Sequence, residues 1–177
     1  MRTSVFIDGS NFYHILKTLF PDKKPNDFNF DKFCNYLIKD YELINVYYYN
    51  VPLDIMHDKE KYVKQQQFFE KIKRIPKFIF RLCRMQKRKV GKQIIYEVKE
   101  DDIYLAVDMV KLACQDAYDM AILVSSDGDF VPAVKAVQET GKKVENVGFK
   151  GKFSYHLKHE CNKFVLINEE ILGSFFI

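Results

Sequence analysis

Segments with the pattern of buried strands alternate with segments of helical periodicity along nearly the whole chain of 177 residues. A β-branched and aromatic run at 3–7 precedes a helical pattern at 11–20, and a second such pair occupies 120–126 and 130–140. This alternation predicts an α/β fold, a three-layer sandwich with a central, mainly parallel β-sheet and helices on both faces. The length suits one domain that covers residues 1–177.

The remaining segments extend the same alternation. Strands are predicted at 41–51, 142–149 and 163–168, and helices at 30–39, 57–75 and 154–160. A further helix at 101–117 has apolar residues on nearly all sides, so we expect it to be buried. Segments 77–86 and 92–99 flank Gly91, and this arrangement predicts a strand pair joined by a basic turn.

The composition excludes several classes of protein. No apolar run approaches the roughly 20 residues that span a bilayer, and the apolar start of MRTSVFIDGS is too short for a secretory signal peptide. We therefore expect a cytoplasmic protein without a membrane partner. The four cysteines form no CxxC pair, which argues against a zinc ribbon or a thioredoxin-like site.

Charge is distributed unevenly, although the net charge is only +4. Residues 71–92 contain ten Lys or Arg and no acid, whereas residues 97–119 contain seven acids. A basic block beside an acidic one suits a protein that holds a polyanion next to a carboxylate site. The residues expected to contact the polyanion are Arg84, Lys87, Arg88 and Lys89. The aromatic residues Phe78, Phe80 and Tyr96 are expected either to stack on bases or to face the core.

Carboxylates occur in three groups at the ends of predicted elements. Asp8 follows the first strand, Asp127 and Asp129 follow the strand at 120–126, and Asp101 with Asp102 begins a helix. Taken singly, these acids also suit turns, helix caps or the helix dipole. Taken together, they predict one acidic crevice at the carboxyl ends of parallel strands, where oxygen ligands favour Mg²⁺ or Mn²⁺.

Other residues and motifs complete this prediction. Asp108 lies midway along the apolar helix and must find a structural partner or support the site. The chain contains no GxxxxGKS/T phosphate loop, no GxGxxG turn and no GxSxG nucleophile elbow. These absences argue against a nucleoside triphosphatase, a dinucleotide-binding enzyme and a serine hydrolase.

Three stretches in this order resemble the NYN domain family, LabA-like members of the PIN-like nuclease superfamily. They are FIDGSNFYH, KEDDIYLAVDMV and AILVSSDGDFVPAVKAVQETGKKVENVGF, so the resemblance covers residues 3–20 and 99 to about 167. Residues 21–98 carry no matching motif. The family implies a central parallel sheet and a metal-dependent ribonuclease centre. Its motif positions correspond here to Asp8, Asn11, Asp102, Asp127 and Asp129.

The resemblance therefore implies an endoribonuclease that hydrolyses RNA phosphodiester bonds with Mg²⁺ or Mn²⁺. We expect Asp8, Asp102 and Asp127 to bind the metal, while the extra acid Asp101 leaves open which of the two neighbours does so. Asp129 would complete the catalytic site, and Asn11, Ser125 and Ser126 would position phosphate or water. Single-stranded RNA is the expected partner, and a homodimer or a complex with another protein is compatible with the sequence.

Two other functions remain open at this level. A non-catalytic RNA-binding or adaptor module would keep the basic block and have no need of a metal site. A DNA-acting nuclease would use the same carboxylates on a different polymer.

Overall fold

The computed structural model describes residues 1–56, 58–91, 93–98 and 100–177, and it describes their side chains except those of 85–88, 90 and 93–98. The strands are β1 (Arg2–Asp8), β2 (Glu42–Asn50), β3 (Phe78–Leu82), β4 (Met85–Val90), β5 (Gln93–Val98), β6 (Met120–Val124), β7 (Lys143–Phe149) and β8 (Lys163–Ile167). The helices are α1 (Gly9–Leu19), α2 (Phe30–Ile38), α3 (Lys59–Lys73), α4 (Asp101–Cys114), α5 (Val131–Glu139), α6 (Tyr155–Glu160) and α7 (Glu169–Gly173). Short 3-10 helices occur at Pro25–Asp27 and Gly128–Phe130.

Six strands form one sheet in the order β3-β2-β1-β6-β7-β8, and every neighbouring pair in it is parallel. The predicted α/β fold is thus confirmed. β1 and β6 lie at the centre of the sheet. β2 and β3 follow on the side of β1, and β7 and β8 follow on the side of β6. The order reverses between β1 and β6, and open α/β sheets bind ligands at such a switch point, beyond the carboxyl ends of the strands.

Side chains of β1 alternate between two cores, one on each face of the sheet. Val5 and Ile7 lie in a core with residues of α1, α2, α3 and α7, whereas Phe6 lies in a core with residues of α4, α5 and α6. Successive residues of a strand point to opposite faces, so a continuous apolar run is what a sheet covered on both sides requires. The result is the predicted three-layer sandwich.

Local sequence explains where the helices near the sheet edge begin and end. The Asp8 carboxylate accepts a hydrogen bond from Asn11 N at 3.0 Å and caps α1, and Asn29 caps α2 through Lys32 N at 3.0 Å. Gly141 follows the end of α5 with a φ of +80°, a conformation that glycine adopts at little cost. Asp8, the last residue of β1, is therefore also the N-cap of α1.

The predicted strand pair around Gly91 is correct in kind but wrong in its first strand. Residues 78–82 form β3, which joins the main sheet in parallel with β2, and β4 pairs antiparallel with β5 instead. The basic residues expected in a turn therefore lie in β4, and the turn falls at Gly91, whose φ is +62°. Parallel pairing of β3 with β2 requires the intervening helix α3, a long-range relation that local alternation does not reveal.

The prediction that the helix after residue 101 is buried was wrong for one of its faces. Leu105, Met109 and Ala113 of α4 are buried, but Ile103 and Val107 are more than half exposed. Only one face of α4 contacts the sheet, so apolar residues on the opposite face remain at the surface. No helix among the described residues is long and apolar enough to cross a membrane.

The aromatic residues of β3 are core residues rather than free stacking platforms. Phe80 packs on Phe69 with ring centroids 4.5 Å apart and on Tyr48 at 5.9 Å. Phe78 also packs against this core. The side chain of Tyr96 lies outside the described set, so its predicted role is not tested.

Candidate active site

Asp8 lies at the carboxyl end of β1, beside the point where the strand order reverses. Its carboxylate is only 6% exposed, and both oxygens accept hydrogen bonds. One bond comes from Asn11 N at 3.0 Å and the other from Ser125 Oγ at 3.1 Å. The partners belong to α1 and to the segment after β6, so Asp8 joins the two halves of the sheet at the switch point.

Ser125, Ser126 and Asn11 connect the start of α1 to the loop after β6. The Ser125 hydroxyl donates to Asp8 and accepts from Asp127 N at 3.1 Å. The Asn11 side-chain oxygen accepts from both N and Oγ of Ser126, each at 3.1 Å. The hydroxyls and the amide therefore fix the loop that carries the next two acids.

Asp127 and Asp129 follow this loop and differ in their contacts. Asp127 accepts a hydrogen bond from Asp129 N at 2.9 Å and caps the 3-10 helix that precedes α5. Asp129 is exposed. Of the two acids that could cap a helix here, Asp127 does so, because the helical turn begins at Gly128, before the predicted start of the helix at 130.

Asp101 and Asp102 begin α4 but face different surroundings. Asp101 is buried and lies close enough to Asp8 to influence its protonation. Asp102 is half-buried and accepts a hydrogen bond from Ile103 N at 2.8 Å. It also lines a shallow pocket together with Asp129, Ile103, Ala106 and Phe130.

The burial of Asp8 and the acids near it affect its pKa. The pKa of Asp8 is raised from 3.8 to about 7; burial is the largest cause, and the negative charges of Asp101 and Asp127 act in the same direction. The hydrogen bonds from Asn11 N and Ser125 Oγ oppose this rise without cancelling it. A buried carboxylate with two acidic neighbours favours a bound proton or a bound cation.

The chemistry of these donors suits a hard divalent cation. Asp8 lies at the switch point, and Asp101 and Asp127 are near enough to act on its pKa. Mg²⁺ and Mn²⁺ prefer carboxylate oxygens as ligands. Among the residues that the structure describes, no three His, Cys, Asp or Glu side chains already converge on one point. Mg²⁺ commonly keeps several water ligands, so one or two direct carboxylate contacts are sufficient to hold it.

A comparison with protein families identifies the family of this chain. The model of the NYN domain matches residues 2–168, nearly the whole chain. The chain belongs to the NYN domain family. NYN domains are generally nucleases with a PIN-like fold, and such nucleases typically use divalent metal ions. The match includes residues 21–98, in which no motif was recognisable from the sequence.

Two individual proteins are similar to this chain to different extents. An uncharacterized protein of Methanocaldococcus jannaschii is 35% identical over 69 residues, which is 39% of this chain and 29% of that protein. The alignment therefore spans less than a third of that relative. The crystal structure of a protein of unknown function from Vibrio parahaemolyticus superposes with a TM-score of 0.74 at 24% identity, covering 96% of this chain and 94% of the other. At that identity the likeness establishes the fold alone.

Asp108 has structural partners in this NYN domain. Its carboxylate accepts a hydrogen bond from the Tyr49 hydroxyl at 3.0 Å and lies 3.4 Å from Arg81 Nε. The expectation that this residue needs a partner is met by one residue of β2 and one of β3. Asp108 therefore links α4 to the sheet, about two helical turns after the acids that begin this helix.

The predicted RNA-binding residues lie on and beside β4. Arg84 and Lys89 are exposed. Lys87 and Arg88 lie in the same strand, and their side chains are outside the described set. The structure thus leaves their contact with a polyanion as a prediction.

Sequence reasoning missed Asn146, which supports the site from β7. This residue is fully buried, and its amide nitrogen donates to Leu123 O at 3.1 Å and to Ser125 O at 3.0 Å. It therefore holds the backbone of the residue whose hydroxyl contacts Asp8. The available signal was an amide between the valines of the predicted strand KVENVGF.

Gly9→Ala tests how tightly the start of α1 fits against the sheet. A Cβ at Gly9 would lie 2.4 Å from Tyr49 O and 2.6 Å from the Tyr48 ring. We expect the substitution to lower the free energy of unfolding by about 1–3 kcal/mol, because backbone and a buried ring must shift. Urea unfolding measures this loss. Gly173→Ala is the control, because its nearest neighbour is the edge of the Phe20 ring at 3.2 Å. Equal stability of both variants would contradict the close approach at Gly9.

Proposed function

We propose that this NYN domain is a Mg²⁺- or Mn²⁺-dependent endoribonuclease that hydrolyses phosphodiester bonds of single-stranded RNA. The observation that carries the proposal is the burial of Asp8 at the carboxyl end of β1, next to β6. This carboxylate is buried at the switch point of the sheet, and burial together with Asp101 and Asp127 raises its pKa to about 7. Such a cluster costs folding free energy unless a bound proton or a bound cation offsets its charge, and a cation is the partner that hydrolysis requires.

Each residue of the acidic edge is proposed to have a separate role in hydrolysis. Asp8, Asp127 and one acid from the start of α4 would hold the cation, and Asp129 would orient a water at the exposed rim. A bound divalent ion would lower the pKa of water and offset negative charge on the phosphodiester. Asn11, Ser125 and Ser126 would fix the loop so that Asp127 stays beside Asp8. The exposed position of Asp129 leaves room for a polymer to enter.

The choice between Asp101 and Asp102 follows from their surroundings. Asp101 is buried beside Asp8, whereas Asp102 lies at the rim with Asp129. We therefore place Asp101 next to Asp8 at the cation and Asp102 towards the substrate. This reverses the order that the family resemblance alone implies.

Cleavage of a labelled single-stranded RNA tests the proposal. We expect cutting with Mn²⁺ or Mg²⁺, no cutting in EDTA, and a strong loss in Asp127→Asn. The matched DNA oligonucleotide identifies the polymer, since preferential cutting of DNA would replace the ribonuclease proposal by a DNA-acting nuclease. Binding of RNA without cutting by the wild type would support the adaptor function instead.

Charge reversal on β4 tests the proposed RNA contact. We expect Lys87, Arg88 and Lys89, when changed together to Glu, to weaken RNA binding and to lower the slope of log K against log salt by roughly 2. Fluorescence anisotropy across a salt series measures both quantities. The control changes to Glu three exposed lysines in or between α1 and α2, namely Lys17, Lys24 and Lys32. An unchanged salt slope in the β4 variant would contradict the contact.

A further inference from the structure

The outer face of α4 carries an apolar surface that the proposed chemistry does not use. Ile103 is 60% exposed, Tyr104 is 51% exposed and Val107 is 55% exposed. Ile103 and Val107 are four residues apart, so they adjoin on the helix surface beside Tyr104. We call these three residues the α4 platform. Single exposed apolar side chains are common on protein surfaces, but adjoining ones form a patch that can bind a partner.

The α4 platform is continuous with the acidic edge. Ile103 lines the shallow pocket that contains Asp102 and Asp129, and Ala106 with Phe130 forms its apolar base. Tyr104 lies within the first turn of the helix, with its backbone N–H donating to Glu100 O at 2.9 Å. A polymer whose phosphate lies at the acidic edge would therefore meet the α4 platform first at Ile103.

Cations lie beside the α4 platform on two sides. Lys111 is exposed and follows Val107 by four residues on the same helix face. Arg81, whose side chain is 53% exposed, contacts Asp108, the residue four positions after Tyr104. Arg84 is exposed beside Cys83, which is buried in one cluster with Leu105 and Met109 of α4. Lys111 and Arg84 would thus offer positive charge to a phosphate beside a stacked base, whereas Arg81 is already paired with Asp108.

We propose that the α4 platform stacks an unpaired base of the RNA substrate, with Tyr104 as the main contact. This deepens the proposed function and rests on it. Aromatic side chains beside cations are the usual means of holding single strands, and bases within a duplex cannot reach them. A second copy of the chain is a poorer occupant. Three half-exposed side chains offer far less than the roughly 800 Å² per partner that a stable dimer buries.

The chain contains no tryptophan, so Tyr104→Trp creates a single fluorescent reporter on the α4 platform. We expect a short single-stranded RNA in EDTA, where no cleavage takes place, to quench this tryptophan, and the matched duplex to quench it much less. The control is Tyr41→Trp, because Tyr41 precedes β2 at the opposite edge of the sheet. Its emission should stay constant. Tyr104→Ala should weaken binding by about 5- to 150-fold in Kd, and Tyr104→Phe should retain it.

The outcomes separate this inference from the proposed function. RNA that binds by anisotropy without quenching the Tyr104→Trp protein would overturn the α4 platform and leave the ribonuclease proposal intact. RNA that does not bind the wild type would overturn both. A change in emission with protein concentration alone would show that a second copy covers the α4 platform, which also overturns the inference.

Discussion

Asp8→Asn is expected to lower kcat/KM for RNA cleavage by at least about 100-fold while the domain stays folded. Asparagine keeps an acceptor oxygen for Asn11 N, and it is among the best N-cap residues, so the cap of α1 survives. The substitution removes the negative charge that lies buried at the switch point. Initial rates under Mn²⁺ and under Mg²⁺ measure the loss.

The same variant is expected to alter the pH dependence of stability. The pKa of Asp8 is raised from 3.8 to about 7, so the folded state binds a proton more tightly than the unfolded state. Its contribution to stability is fully present below about pH 4 and is lost as the pH rises through 7. We expect a decrease of up to about 4 kcal/mol over this range without metal. Asp119, whose pKa Arg2 lowers to about 2, titrates below this window.

Urea unfolding in EDTA at pH 5, 6, 7 and 8 measures this dependence. The wild type should lose stability across the series, and Asp8→Asn should lose much less. Asp40→Asn is the matched control, because Asp40 is exposed. Added Mg²⁺ at pH 8 should restore stability to the wild type and leave Asp8→Asn unchanged. Parallel pH profiles for all three proteins would contradict the electrostatic state inferred for Asp8.

Phe12→Ala is expected to lower the free energy of unfolding by about 3–5 kcal/mol. Phe12 is 1% exposed, and its ring lies 5.3–5.7 Å from the rings of Phe28, Phe30, Phe33 and Phe149. The substitution opens a cavity among four aromatic rings that cannot close without moving α2 or β7. Because Phe12 follows Asn11, the cavity lies directly behind the acidic edge.

Chemical denaturation followed by circular dichroism measures the effect of Phe12→Ala. Tyr13→Ala is the control on the same helix, since Tyr13 is 40% exposed, and it should cost much less. A loss below about 1 kcal/mol for Phe12→Ala would show that the ring cluster does not hold α1 in place.

The parts of the site that could be predicted are those set by local chemistry. Asp8 and Asp127 each follow a short buried strand, and the α/β pattern alone places both strand ends on one edge of a parallel sheet. Their closeness then depends on β1 and β6 being neighbours, which the structure confirms. The SDGDF motif added specificity to this expectation and led to the correct family.

The parts that could not be predicted depend on long-range packing. Residues 78–82 alternate as a hairpin strand would, yet they pair with β2, which is distant in the sequence. Ile103 and Val107 were predicted to be buried, because a helix with apolar residues on nearly all sides does not reveal which face contacts the sheet. The order of Asp101 and Asp102 depends on the rotation of α4 about its axis, a property that no local motif encodes.

Calorimetric titration with Mn²⁺ at pH 8 tests the carboxylate centre most directly, since an adaptor has no need of a cation there. We expect saturable binding by the wild type and by Asp40→Asn, and loss of binding in Asp8→Asn and Asp127→Asn. Asp101→Asn should weaken binding more than Asp102→Asn, because Asp101 is the acid buried beside Asp8. Equal Mn²⁺ affinity of the wild type and Asp8→Asn, or no binding by the wild type, would contradict a metal centre at this edge of the sheet.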